Sequence, residues 1–211
     1  MTDPTNPGDI SVVGQRRRPG GSFPGGGGGG KDETIGEVPE TEELPDPLEE
    51  VTPDPCADSV LAVDWNADAA AAEAFSGFKV KAAELGDTGL YQREFGAKIY
   101  QHPDGSIYLG PITWGDPMTG TFNFDESGMT QANLVGEIHS HPSPQMEPSA
   151  ADWTRLNTFS DWTQRNFRTY IASRDQNDPT SDFAVRVYDK SSDQSSDNPG
   201  PEVNPEAKPC P

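Results

Sequence analysis

The aromatic residues decide how much of this chain can fold. Nearly all the Trp, Phe and Tyr lie between about Asp58 and Lys190, and a core forms only where a chain has large apolar side chains to bury. The stretch from Met1 to about Lys31 holds the basic patch "RRRPGG" and the run "GGGGGG", a composition that cannot bury enough surface to order itself. The next stretch, "DETIGEVPETEELPDPLEEVTPDP", is acidic and studded with proline. Its like charges repel, and its prolines block helix and sheet alike. The carboxyl end, "SSDQSSDNPGPEVNPEAKPCP", has the same character. With 22 Gly and 21 Pro in 211 residues, the expected organisation has three parts. These are a disordered arm and acidic linker over 1–57, one folded domain over 58–190, and a disordered tail over 191–211.

A formal net charge of -20 argues against nucleic acid or an anionic membrane as partner, since both would be repelled. No apolar run approaches the length needed to span a bilayer, and the amino terminus lacks the apolar core of a secretory signal. The expected location is the cytoplasm, or outside the cell by a route that needs no signal peptide. Two cysteines, Cys56 and Cys210, are too few for a cysteine-rich metal knuckle or a dense disulfide framework. The sequence favours unpaired thiols, with a bridge between the two tails as the other arrangement.

Within the domain, a helix is expected from about Ala67 to Leu85, capped by Asn66 and ended by Gly86. "EFGAKIYQHPDGSIYLG" reads as a hairpin about a Pro-Asp-Gly turn. "TGTFNFDE" and "ANLVGEIHSH" read as two further strands, the second buried. In the helix "SAADWTRLNTFSDWTQ", Trp153, Leu156, Phe159 and Trp162 recur every third residue as an apolar stripe that reads as core. "FRTYIAS" and "DFAVRVYD" close the domain as strands, giving an α+β order.

The chemistry concentrates in "EIHSHPSP". This chain has 3 histidines, and it places two of them, His139 and His141, one residue apart on a strand, where both project to one side. After His141 and seven intervening residues come Ser149 and then, three further on, Asp152 in the first turn of the following helix. Two imidazoles and a carboxylate form a three-ligand set suited to tetrahedral zinc with a fourth position for water. Zinc lowers the pKa of bound water toward neutrality, and a general base must then carry the proton to the leaving amine. Glu94 and Glu137 are the candidates, and Ser149 could donate to an oxyanion. Each feature also has a plainer reading. Ser149 and Asp152 could form a helix cap close to a capping box, Glu94 could be an exposed hairpin charge, and Glu137 could support a ligand imidazole. His102 lies in a turn where a polar residue needs no special purpose.

An upstream glutamate, then H-S-H-P, with seven residues between the second histidine and S-x-x-D, resembles the signature of the JAMM (JAB1/MPN+) zinc metalloproteases, and "LVGEIHSHP" is similar to compact bacterial members on Rhs-like toxin or effector proteins. The resemblance implies a JAMM/cytidine-deaminase-like α+β domain with a central mixed β-sheet flanked by helices. It implies zinc on His139, His141 and Asp152, with Ser149 as oxyanion helper. It assigns the base to Glu94 over Glu137, because family members carry that glutamate shortly before a glycine, as in Glu94-Phe95-Gly96. The expected function is zinc-dependent hydrolysis of a peptide or isopeptide bond in a protein or peptide substrate, a ubiquitin-like protein included, in the setting of a bacterial effector. The long insertions of the ubiquitin-chain-cleaving members are missing, so their substrate does not carry over. The alternative is a non-catalytic module that binds a peptide or ubiquitin-like protein and keeps a vestigial metal site.

Overall fold

The computed structural model describes residues 54–178, 180–194 and 199–210, and the expectations for residues 1–53 lie outside them. A 3-10 turn over Pro55–Ala57 leads into helix α1, Ser59–Glu84. α1 starts well before the expected Ala67 because Asp58 caps it. The Asp58 carboxylate accepts the Leu61 N–H at 3.2 Å, relieving one of the unpaired donors of the first turn. Asn66 is therefore inside the helix, where its side chain accepts the Cys210 N–H at 2.6 Å. The helix ends where expected, with Gly86 at φ +75°, a left-handed conformation that costs glycine little.

Six strands follow: β1 Phe95–Gln101, β2 Ile107–Leu109, β3 Thr113–Trp114, β4 Leu134–Ser140, β5 Arg168–Ser173 and β6 Ala184–Tyr188. They form one sheet in the order β2-β1-β4-β5-β6, with β3 also paired to β1. β4 and β5 are parallel and the other pairs antiparallel. The parallel step needs a crossover longer than a turn, and α2, Ala150–Thr163, lies in that connection. The result is the expected α+β fold with a mixed sheet.

The two helices take opposite faces. α1 packs its alanines, Phe75 and Phe78 against Phe95, Ala97, Ile99, Ile138, Tyr170 and Ala172. Leu156 of α2 clusters with Tyr100, Leu134, Ile171 and Tyr188. Adjacent residues such as Tyr170 and Ile171 thus serve different cores, as strand alternation requires. The β1–β4 register shifts, with Ile99 opposite Gly136 and Tyr100 opposite Leu134, so Val135 is an extra residue in β4. Such a bulge changes which residues face which side. Beyond it Ile138 faces α1, which turns Glu137 and His139 toward α2.

Four further expectations are corrected. "TGTFNFDE" is not a strand; its two phenylalanines lie near His139, with ring centroids 6.3 Å (Phe122) and 6.0 Å (Phe124) away. The helical stripe is only partly core, because Leu156 is buried while Trp162 is 38% exposed. The residues after 190 are not all a disordered tail. Val203 is buried and donates its N–H to Val185 O at 2.8 Å, while Val187 N–H donates to Pro201 O at 3.0 Å. An edge strand presents unpaired backbone groups that need covering, and this segment covers β6. Its end is fixed too, with Trp65 Nε1 donating to Lys208 O at 2.7 Å and Cys210 joined to Cys56 in a disulfide. The cysteines are paired, and the folded unit reaches Cys210.

Candidate metal centre

β4 is buried along its whole length, so its polar side chains on the α2 face have little access to bulk water. His139 ends up 2% exposed and His141 6%, and buried imidazoles of this kind need partners. Their Nε2 atoms lie 3.1 Å apart. The first turn of α2 brings in Asp152, with Oδ1 3.3 Å from His139 Nε2 and Oδ2 3.6 Å from His141 Nε2. Two atoms each about 2.0–2.1 Å from a tetrahedral ion stand about 3.3 Å apart. The His139–His141 separation is close to that value, and one ligand atom from each of His139, His141 and Asp152 lies within 4.8 Å of the other two, so the three could hold a metal ion.

The proton inventory points the same way. His141 Nδ1 lies 2.7 Å from Gln145 O, and a carbonyl only accepts, so Nδ1 carries the proton and Nε2 presents a lone pair. That lone pair and the Asp152 carboxylate are both acceptors, and they face each other across 3.6 Å. A proton or a cation between them turns this repulsion into attraction. Burial would push the His139 imidazolium down, but its hydrogen bond to Asp152 and the charges of Asp152, Glu137 and Glu94 carry it above its ordinary value. Burial would raise Asp152, yet its hydrogen bond to His139, the His139 charge and its bond with Ser149 hold it far below the usual carboxylate range. The carboxylate stays ionised and ready to bind a cation. His139 Nδ1 is buried with no partner, so only His141 has the hydrogen-bonded far nitrogen usual for a ligand histidine.

The other predicted residues gather round this centre. Glu94, just before β1, lines the same cavity of about 800 Å³ as His139, His141, Ser149 and Asp152. Burial pushes its carboxyl up, against the opposing pull of His139 and His141, which suits a proton acceptor. Ser140, between the two histidines, accepts the Phe95 N–H at 3.0 Å and so fixes the backbone next to Glu94. Gly96 lies opposite His139 in register, and a Cβ there would meet Phe122 Cζ at 2.4 Å and Phe124 Cε1 at 2.8 Å. The glycine lets both rings close over the site.

Ser149 fills two roles at once. Its Oγ accepts the Asp152 N–H at 3.3 Å while its N–H donates to Asp152 Oδ2 at 2.8 Å, a full capping box. Glu137 is fully buried and does not touch an imidazole. It accepts from Lys98 Nζ at 2.6 Å and from Arg155 Nε at 2.9 Å, which occupies it as an ion-pair partner. His102 stacks on Tyr108 with ring centroids 4.1 Å apart, away from the site.

Sequence reasoning missed Lys98, Arg155, Ser140 and the Gln145 carbonyl. A lysine in an otherwise apolar run, "EFGAKIY", was the one available signal, because a buried cation requires an anionic partner. When the chain is compared with protein-family models and with curated protein sequences, none matches.

Proposed function

We propose that this chain is a zinc-dependent peptidase or isopeptidase of JAMM type. One observation carries the reading: a Glu94 carboxyl and a Ser149 hydroxyl share a cavity with a His139–His141–Asp152 set whose acceptor atoms converge. Two nitrogens and one oxygen are donors that suit zinc. Zinc, when bound by these three residues, supplies Lewis-acid activation of water and of the scissile carbonyl.

The remaining work falls to the chain. Glu94 takes a proton at its carboxylate and returns it to the leaving amine, helped by the raised affinity for protons that burial gives it. Ser149 Oγ–H donates to the oxygen of the attacked carbonyl as charge develops there. Phe122 and Phe124 shield His139 from water, which strengthens each electrostatic contact inside. The cavity is large enough for several residues of an extended peptide, so the substrate class is a protein or peptide, with a ubiquitin-like modifier among the candidates.

No described helix is long and apolar enough to cross a membrane. The Cys56–Cys210 bridge is of the kind that oxidising compartments maintain, which supports deployment outside the cytoplasm, as an effector would require. The test is to incubate the zinc-loaded protein with peptide and lysine-linked isopeptide libraries and read cleavage by mass spectrometry. Cleavage abolished by chelation and by Glu94→Gln is the expected result. Capture of a peptide or ubiquitin-like partner that survives chelation, with no cleavage, would favour the binding module instead.

A further inference from the structure

Three elements carry the groups of the centre. β4 carries His139 and leads directly into His141, α2 carries Asp152, and the chain entering β1 carries Glu94. All three meet at one buried carboxylate, that of Glu137. Lys98 of β1 lies opposite Glu137 in register and bonds its Oε2 at 2.6 Å. From α2, one turn beyond Asp152, Arg155 Nε reaches both Glu137 oxygens, at 3.2 and 2.9 Å. Glu137 itself stands two residues before His139 on the same face of β4.

We propose that Arg155 is a positioning residue, which through Glu137 locks the helix bearing Asp152 to the strand bearing His139 and so sets the spacing of the metal ligands. The inference rests on the metal reading above. The start of α2 has a separate apolar anchor, since Trp153 stands edge-on to Tyr188 of β6 at 5.7 Å. That contact lies toward the far edge of the sheet. On the side of the ligand strand, the early turns of α2 meet β4 through Arg155 on Glu137, beside the Leu156–Leu134 packing and the Asp152–His139 contact itself. The guanidinium is itself held in place, with its carbon 4.7 Å from the Phe124 ring and 4.9 Å from that of Phe159, and its NH2 bonds Glu126 at 2.6 Å. A planar cation stacked on rings and forked onto a carboxylate has little freedom left. Asp152 is thus carried by a helix that cannot slide or roll on β4 without pulling partly exposed Arg155 from fully buried Glu137, and a carboxylate that loses a partner in the interior costs more than the loss of a surface ion pair.

The test compares wild type, Arg155→Leu and Arg155→Lys by zinc competition against a chelator and by the visible spectrum of the Co²⁺-substituted protein, with circular dichroism to verify folding. Leucine keeps apolar bulk between the two phenylalanines and leaves the Lys98–Glu137 pair intact. Zinc affinity is expected to fall about 10- to 100-fold in Arg155→Leu, with an altered Co²⁺ spectrum. Arg155→Lys, which keeps the charge without the fork, should recover part of the loss. A purely structural role would lower the melting temperature of the metal-free protein but leave affinity and spectrum unchanged. Wild-type affinity and spectrum in a folded Arg155→Leu, or in Arg155→Lys where the first variant does not fold, overturn the proposal. A wild-type protein that binds neither ion overturns the metal reading itself, which is a separate result.

Discussion

Cutting the Cys56–Cys210 bridge, by reduction or as the Cys56→Ser/Cys210→Ser double variant, should destabilise the domain substantially. The bridge spans 154 positions of sequence, and it encloses α1, the whole sheet and α2. In the chain-entropy model, removing a cross-link over a loop of that length returns about 5 kcal/mol of entropy to the unfolded chain, while measured bridges cluster at about 2–4 kcal/mol. The folded state retains partial compensation. Val203 stays buried, and two backbone hydrogen bonds tie the terminal segment to β6. About 3 kcal/mol is therefore expected, which for a domain of this size lowers the melting temperature by roughly 6–12 °C. The assay is a calorimetric scan of the oxidised protein and the double variant, joined to hydrogen exchange at the Val187 and Val203 amides. These two amides should exchange faster in the variant, because the segment is then held only by its own weak contacts. Melting temperatures within about 1 °C and unchanged exchange at both amides would refute the reasoning that the bridge clasps this segment to the sheet.

Other changes have separate signatures. Glu94→Gln should keep the metal and lose turnover by about 10²–10⁴-fold. In the wild type, Glu94 has to be ionised to accept a proton and burial pushes its pKa up, so the acidic limb of the rate profile should lie above the ordinary carboxylate range; a limb at or below that range contradicts the role. Lys98→Met removes one of the two cations on fully buried Glu137 and should cost about 3–5 kcal/mol in urea unfolding. Gly96→Ala places a methyl 2.4 Å from Phe122 Cζ and 3.1 Å from Ile138 O. The rings must then lift from His139, with a loss of about 1–3 kcal/mol and weaker cleavage, both measurable on the purified variant.

The candidate metal ligands were legible because their spacing is local. An H-x-H on a strand fixes two side chains to one face by geometry alone, and S-x-x-D at a helix start fixes the carboxylate near the helix end that faces the strand. The partners of Glu137 were not legible, since Lys98 and Arg155 reach it through strand register and helix docking, neither of which is written in any short window. "TGTFNFDE" misled for a related reason: alternation signals a strand only when the alternate residues face a core, and here Phe122 and Phe124 line the cavity beside His139. The carboxyl-terminal segment carries the composition of a solvated tail. One buried valine, a few hydrogen bonds and a disulfide hold it, and composition averages conceal such sparse anchors.

The central claim is that His139, His141 and Asp152 hold a catalytic zinc ion. Elemental analysis of protein purified without a histidine tag, beside the His139→Ala/His141→Ala variant, tests it most directly. About one zinc per chain in the wild type and none in the variant is the predicted result. No metal in the wild type, even after zinc is supplied, or equal metal in both proteins, would contradict it.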